Sequence, residues 1–218
     1  MSLSRLQSLL VERPLWRTSE LAAKGINSRS IKEALDRGIA IRPEMLSSEG
    51  AIPGILANAD ADLDPDFDDA LAMMMLPQGV IARHTAALRH GMGDGMPRAI
   101  EVIVPHEVAH LPRQANVKLL RTRRAEALTE GVATRATALG VDIRMTTPAR
   151  TVVDLFRSGH KVPGDVAAAN AALAAYIAKG GAGGEVKRIA RHFEDVVLAT
   201  VEAAVDAATE SLTKGYAA

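Results

Sequence analysis

His106-Glu107-Val108-Ala109-His110 is the run in this chain whose residue types and spacing spell out a reaction. In H-E-x-x-H, two imidazoles one helical turn apart bind zinc, and the glutamate activates a zinc-bound water for peptide hydrolysis. Glu130, twenty residues after His110, is a candidate third ligand. That chemistry needs a helix of several turns beneath the motif. Pro105 and Pro112 leave six residues between them, and proline inside a helix removes a hydrogen bond and clashes with the preceding turn. Zinc peptidases also bury the motif in an extended cleft, and the cations that follow (Arg113, Lys118, Arg121, Arg123, Arg124) do not supply one. A zinc peptidase built on His106, Glu107 and His110 stands as an alternative; the main reading expects neither metal nor cofactor.

Two other patterns touch on ligand chemistry. Asp60, Asp62, Asp64, Asp66, Asp68 and Asp69 alternate like a calcium loop but lack its glycine and terminal glutamate. Several of them suit the first turn of the following helix, where carboxylates complement the helix dipole. Gly91, Gly93 and Gly95 suggest a phosphate loop, but they follow a helical pattern instead of a strand.

The third constellation is basic. Asn27 and Ser28 can cap a helix over 29–37, stopped by Gly38, with Ile31, Ala34 and Leu35 turned inward. The outer face then carries Arg29, Lys32, Glu33 and Asp36. A helix from 18 to 24 precedes it across a tight turn at Gly25, and together they have the form of a helix-turn-helix. Ser28, Arg29 and Lys32, at the leading end of the second helix, are the types that reach phosphates and base edges in a major groove. Arg37 and Arg42 flank them as backbone contacts.

Around these residues the elements read as follows. A short helix over 4–12 ends at Arg13-Pro14. Ile39-Ala40-Ile41-Arg42 begins a strand, and 51–62 reads as a connector. A helix runs from Asp68 to Leu76 with Met73, Met74 and Met75 as core filler. Ala99 to Val104, Val117 to Arg121 and Val141 to Met145 are strands. Thr147 and Pro148 then start a helix whose Ala149, Val152, Val153 and Phe156 share one buried face. Arg150, Asp154 and Arg157 fall on its outer face, as ion pairs worth roughly 0.2–0.5 kcal/mol each. An alanine-rich helix over 163–179 and two more after the Gly180–Gly184 break complete the chain.

Composition sets bounds. Hydrophobic residues make up 48% and charged residues 24% of 218, as in ordinary globular proteins, so no disordered or fibrous class is called for. Cysteine is absent, which excludes disulfides and thiolate-ligated metals. The N-terminal apolar run is too short for a signal peptide and no ~18-residue apolar span exists, so a cytoplasmic protein without membrane contact is expected. The net charge is zero, yet residues 51–80 hold six aspartates and no cation, while 81–160 hold twelve Lys/Arg against seven Asp/Glu. Such a chain does not bind nucleic acid indiscriminately but can present a local basic face.

Thr147-Pro148-Ala149-Arg150-Thr151-Val152-Val153-Asp154-Leu155-Phe156-Arg157, followed by His160-Lys161-Val162 and the alanine-rich helix, resembles the core of the AbiEi family, antitoxins of type IV bacterial toxin–antitoxin systems. Thr18 to Arg42 resembles the N-terminal winged helix-turn-helix of that family. The resemblance implies an α+β protein, with a winged helix-turn-helix over residues 1–55 and an α+β antitoxin domain over 56–218 that has a small sheet and a helical end. It implies autorepression through operator DNA and opposition to a nucleotidyltransferase-like toxin, without a stable complex. Arg150, Asp154 and Lys161 lie on the matched segment and are candidates for an antitoxic surface. A plain transcriptional regulator with a ligand-sensing or dimerising C-terminal domain is the alternative.

Overall fold

The computed structural model describes residues 3–46, 48–94, 98–108, 111–112, 115–159 and 164–215. It is an α+β fold that divides into two compact units: residues 1–77 with 109–117 and 134–143, and residues 78–108 with 118–133 and 144–218.

The first unit begins with α1 (Leu3–Glu12), β1 (Leu15–Arg17), α2 (Thr18–Ala23), α3 (Ser28–Asp36), β2 (Ala40–Ile41) and β3 (Ile55–Asn58). This is the element order of a winged helix-turn-helix. Its sheet has the order β1-β3-β2, antiparallel throughout, with Trp16 opposite Leu56 and Ile41 opposite Ala57. The turn between α2 and α3 passes through Gly25 at φ +79°, a backbone region that glycine enters without steric cost. Asn27 caps α3 by accepting a hydrogen bond from Ser30 N at 2.9 Å. Leu6, Leu10, Trp16, Leu21, Ala34 and Leu56 close one core between the helices and the sheet, with Ile31 and Leu35 packed against it. Sealing these side chains against one another is what holds such short helices, which are marginal alone.

The connector expected over 51–62 contains β3, the central strand of this sheet. A run of three apolar residues behind Pro53 and Gly54, ended by Asn58, carries little strand signal by itself; pairing on both edges creates it. The boundary expected at residue 55 therefore cuts through β3, and the first unit continues to residue 77. There α4 (Phe67–Met75) buries Phe67, Leu71, Met73 and Met74. The aspartates before it have internal work. Asp64 Oδ1 accepts from Asp66 N at 2.8 Å, Asp68 accepts from Leu46 N, and Asp66 receives both terminal nitrogens of Arg135 at 2.6 and 2.8 Å.

The second unit holds β4 (Val80–Ile81), α5 (Arg83–Arg89), β5 (Ile100–Pro105), β6 (Val117–Thr122), β7 (Val132–Arg135) and β8 (Ile143–Thr146), the terminal residues of some strands falling to the first unit. The strand order is β6-β5-β4-β8-β7, with β4 antiparallel to β5 and parallel to β8. Helices α6 (Pro148–Gly159), α7 (Gly164–Ala178), α8 (Gly183–Ala190) and α9 (Asp195–Gly215) follow. α6 is the axis of the unit, in contact with α5, α7, α8 and α9. Val152, Val153, Phe156, Ala172, Leu173, Ile189 and Val201 make its core. The dense alanines of α7 allow helices to approach closely at high helix propensity. Among the described residues no helix is long and apolar enough to cross a membrane.

Candidate functional site

The leading end of α3 is built to face outward. With Asn27 occupied by the cap and Ser30 and Ala34 buried, the helix must turn Ser28, Arg29 and Lys32 to solvent. Arg29 and Lys32 make no ion pair among the described residues. Two long cationic side chains on an ordered helix, beside a hydroxyl, can neutralise phosphates and donate to base edges. Arg37 lies at the other end of α3, where Glu33 holds it at 2.7 Å, so it offers a charge already partly matched. Arg42 is exposed just after β2.

The segment between β2 and β3 is folded down. Pro43, Met45 and Ile52 are buried, and Ile52 N donates to Pro43 O at 2.7 Å. Leu46 N donates to Asp68 Oδ2 at 3.2 Å, and Asn116 Nδ2 donates to Leu46 O at 2.9 Å. Glu44 and Glu49 are its exposed charges beside Arg42. Beside this segment, α3 presents Arg29 and Lys32 as exposed cations.

The residues carried over from the matched segment are placed differently. Arg150 is 0% exposed and Asp154 3%, so neither belongs to a surface, antitoxic or other. All of 149–156 is buried: α5, α7, α8 and α9 surround α6 and leave it no outer face there. Arg150 Nε donates to Asp154 Oδ2 at 3.0 Å, Nη2 to Ala127 O at 3.2 Å, and Nη1 to Glu130 O. Phe193 lies under the Arg150 guanidinium at 4.4 Å and the Arg157 guanidinium at 4.3 Å. Arg157 donates to Asp154 Oδ1 and Glu194 Oε2, each at 3.2 Å. Burial pushes the Glu194 carboxyl up, but backbone hydrogen bonding and Arg157 outweigh it and hold the group below its usual value. Lys161 lies outside the described residues.

The H-E-x-x-H run has no helix under its described part. β5 ends at Pro105, and His106-Glu107 form a turn closed by Val108 N to Pro105 O at 3.2 Å. Arg123 Nη2 donates to His106 Nε2 at 3.1 Å, which uses the lone pair a zinc ion would need. Glu130 accepts from Arg188 at 2.8 Å. His110 lies outside the described residues. Among the described residues no group of His, Asp and Glu is arranged to hold a metal.

One cluster has no counterpart in the sequence reading. Arg83 and His84 open α5, Glu101 comes from β5, Lys118 from β6 and Asp165 from α7. Glu101 Oε2 receives His84 N and His84 Nδ1, both at 3.0 Å, and its Oε1 receives Lys118 Nζ at 2.9 Å. Arg83 donates to Asp165 Oδ2 at 2.6 Å. Burial pushes Glu101 up, but hydrogen bonds from His84 and Lys118 and the charge of Arg83 overcome it and bring the carboxyl to about 2. The hydrogen bond to Glu101 raises His84 against the opposing effect of burial, with Asp165 adding and Arg83 subtracting. The partners lie up to 82 residues apart, so no local pattern could signal them.

No protein-family model matches this chain, and no curated protein does. Among solved structures, that of the RV2827C protein from Mycobacterium tuberculosis is similar, with a TM-score of 0.59 and 18% identity, over 94% of this chain and 76% of its own. At that identity the likeness speaks for the fold alone.

Proposed function

We propose that this chain is a DNA-binding antitoxin of the type IV, AbiEi-like class, which represses its own operon and counteracts a nucleotidyltransferase-like toxin in the cytoplasm. The observation that carries the DNA-binding half is the leading face of α3, where Ser28, Arg29 and Lys32 are exposed on a helix of winged helix-turn-helix order. In this reading α3 enters the major groove, Ser28, Arg29 and Lys32 contact base edges and phosphates, and Arg37 and Arg42 touch flanking backbone. The antitoxin half is supported by the resemblance of Thr147 to Arg157. Because Arg150 and Asp154 are sealed inside, the opposing surface has to be formed by residues other than these two.

The test is a gel-shift titration against the chain's own upstream DNA and a scrambled duplex over a salt series. Preference for the upstream duplex, weakening with salt as counterions are released on each phosphate contact, is the expected result. Equal feeble binding to both would remove the repressor. Rescue of growth when a neighbouring nucleotidyltransferase gene is induced separates the antitoxin from a plain transcriptional regulator, the alternative reading.

A further inference from the structure

In the second unit, a cavity of about 320 Å³ opens between β5, β6 and α6. Ile103 and Leu120 give it an apolar wall, and Arg83, Arg121 and Arg157 also line it, Arg83 being paired with Asp165 and Glu101. Its size falls in the range of small-molecule sites, which combine an apolar lining with a few convergent polar groups.

Three features of those arginines point to an anion. Arg121 donates to the carbonyls of His106 and Val108 and has no carboxylate partner among the described residues. Its full charge therefore stands uncompensated at the cavity. Asp154, also on the wall, is shared by Arg150 and Arg157, and Glu194 by Arg157 and Arg124, so three arginines meet two carboxylates there. Arg83 has φ +54°, the non-glycine residue in the left-handed region among those described. Its Nε is buried and has no hydrogen-bond partner among the described residues. Backbone strain and an unsatisfied buried donor both lower stability, and such costs collect where a ligand is held.

We propose that this cavity binds a small organic phosphate, with the phosphate between the Arg121 and Arg157 guanidiniums and the organic part against Ile103 and Leu120. Guanidinium forks match phosphate oxygens in a bidentate manner, and the apolar wall distinguishes an ester from the free ion. The proposal stands independently of DNA binding, which belongs to the other unit.

The test is calorimetric titration of the full chain with inorganic phosphate, glucose 6-phosphate and AMP, on the native protein and on R121Q, L120W and R123Q. Saturable binding of at least one ester, tighter than inorganic phosphate, is expected. R121Q should weaken it roughly tenfold or more, as loss of a charge-assisted hydrogen bond implies. L120W, which fills the cavity and leaves its charge intact, should abolish it. R123Q, whose side chain is not on the wall, should bind as the native chain does. Circular dichroism melts confirm that each variant is folded; should L120W fail to fold, the contrast of R121Q with R123Q decides. No saturable binding at millimolar ligand would overturn the proposal. So would equal affinity for inorganic phosphate and the esters, or equal weakening by R121Q and R123Q.

Discussion

Arg150 Nε stands 3.0 Å from Asp154 Oδ2, one turn along α6, with 0% and 2% of the two side chains exposed. A buried charge is tolerated when it is paired and its remaining donors and acceptors are satisfied. Both conditions hold, since the carbonyls of Ala127 and Glu130 take the other Arg150 nitrogens and Arg157 takes the second Asp154 oxygen. The pair thus ties the central helix to the segment before β7 and, through Phe193, to the start of α9.

Breaking that pair on one side should cost far more than a surface ion pair. R150M leaves Asp154 with half its partners and two buried carbonyls without donors, and D154N leaves Arg150 without its counter-charge. Each is expected to destabilise by roughly 3–5 kcal/mol, read as a lowered urea midpoint. The double change R150M/D154L, which removes both charges, should be less harmful than either single change. Single variants that melt like the native chain would show that the pair is dispensable.

The pH dependence of folding should carry the mark of His84 and Glu101. Glu101 sits at about 2 against an ordinary 4.5, so its stabilisation is present above pH 4.5 and drains away as pH falls toward 2. His84 is raised above its ordinary 6.5, so its contribution is complete below 6.5 and is lost as pH rises through the folded-state value. The pair therefore favours the fold most between pH 4.5 and 6.5. Urea midpoints of H84Q should lack the decline that the native chain shows above 6.5. An unaltered alkaline slope in H84Q would assign that decline elsewhere.

What the sequence made legible depended on how local the cause was. The start of α6 was readable because Thr147 and Pro148 act within one turn, and α3 because Asn27 caps it three residues away. The burial of Arg150 was not, because helical periodicity assigns one inner face and cannot see four helices closing around α6. β3 and β7 escaped for the converse reason: four residues each, they are strands only by virtue of their neighbours. The His84–Glu101–Asp165 cluster was invisible because three separate elements supply it.

Gly131 offers a test of how tightly the α6 anchor is built. It has φ +61°, and a Cβ there would lie 2.7 Å from Arg150 Cβ. Its carbonyl also accepts Thr147 N at 2.8 Å, at the start of α6. G131A combines a left-handed backbone with a collision against a side chain that cannot move. A loss of about 1–3 kcal/mol is expected from the strain alone, with the collision added. Differential scanning calorimetry of G131A beside G184A, where nothing lies within 4 Å of the added Cβ, measures it; equal melts would refute the close packing.

Salt dependence of the proposed DNA binding should separate α3 from the folded-down segment after β2. Arg29 and Lys32 are exposed on α3, whereas the segment after Arg42 is pinned by Asp68 and Asn116 and bears Glu44 and Glu49 outward. If DNA is held as proposed, R29A/K32A should lower the slope of log affinity against log salt by about 2, one unit for each phosphate no longer neutralised. R42A should lower it by about 1 at most. Because all three side chains are exposed and away from the core, the variants should melt like the native chain, so any weakening reports on binding. A larger effect in R42A than in R29A/K32A would move the interface from α3 to the wing.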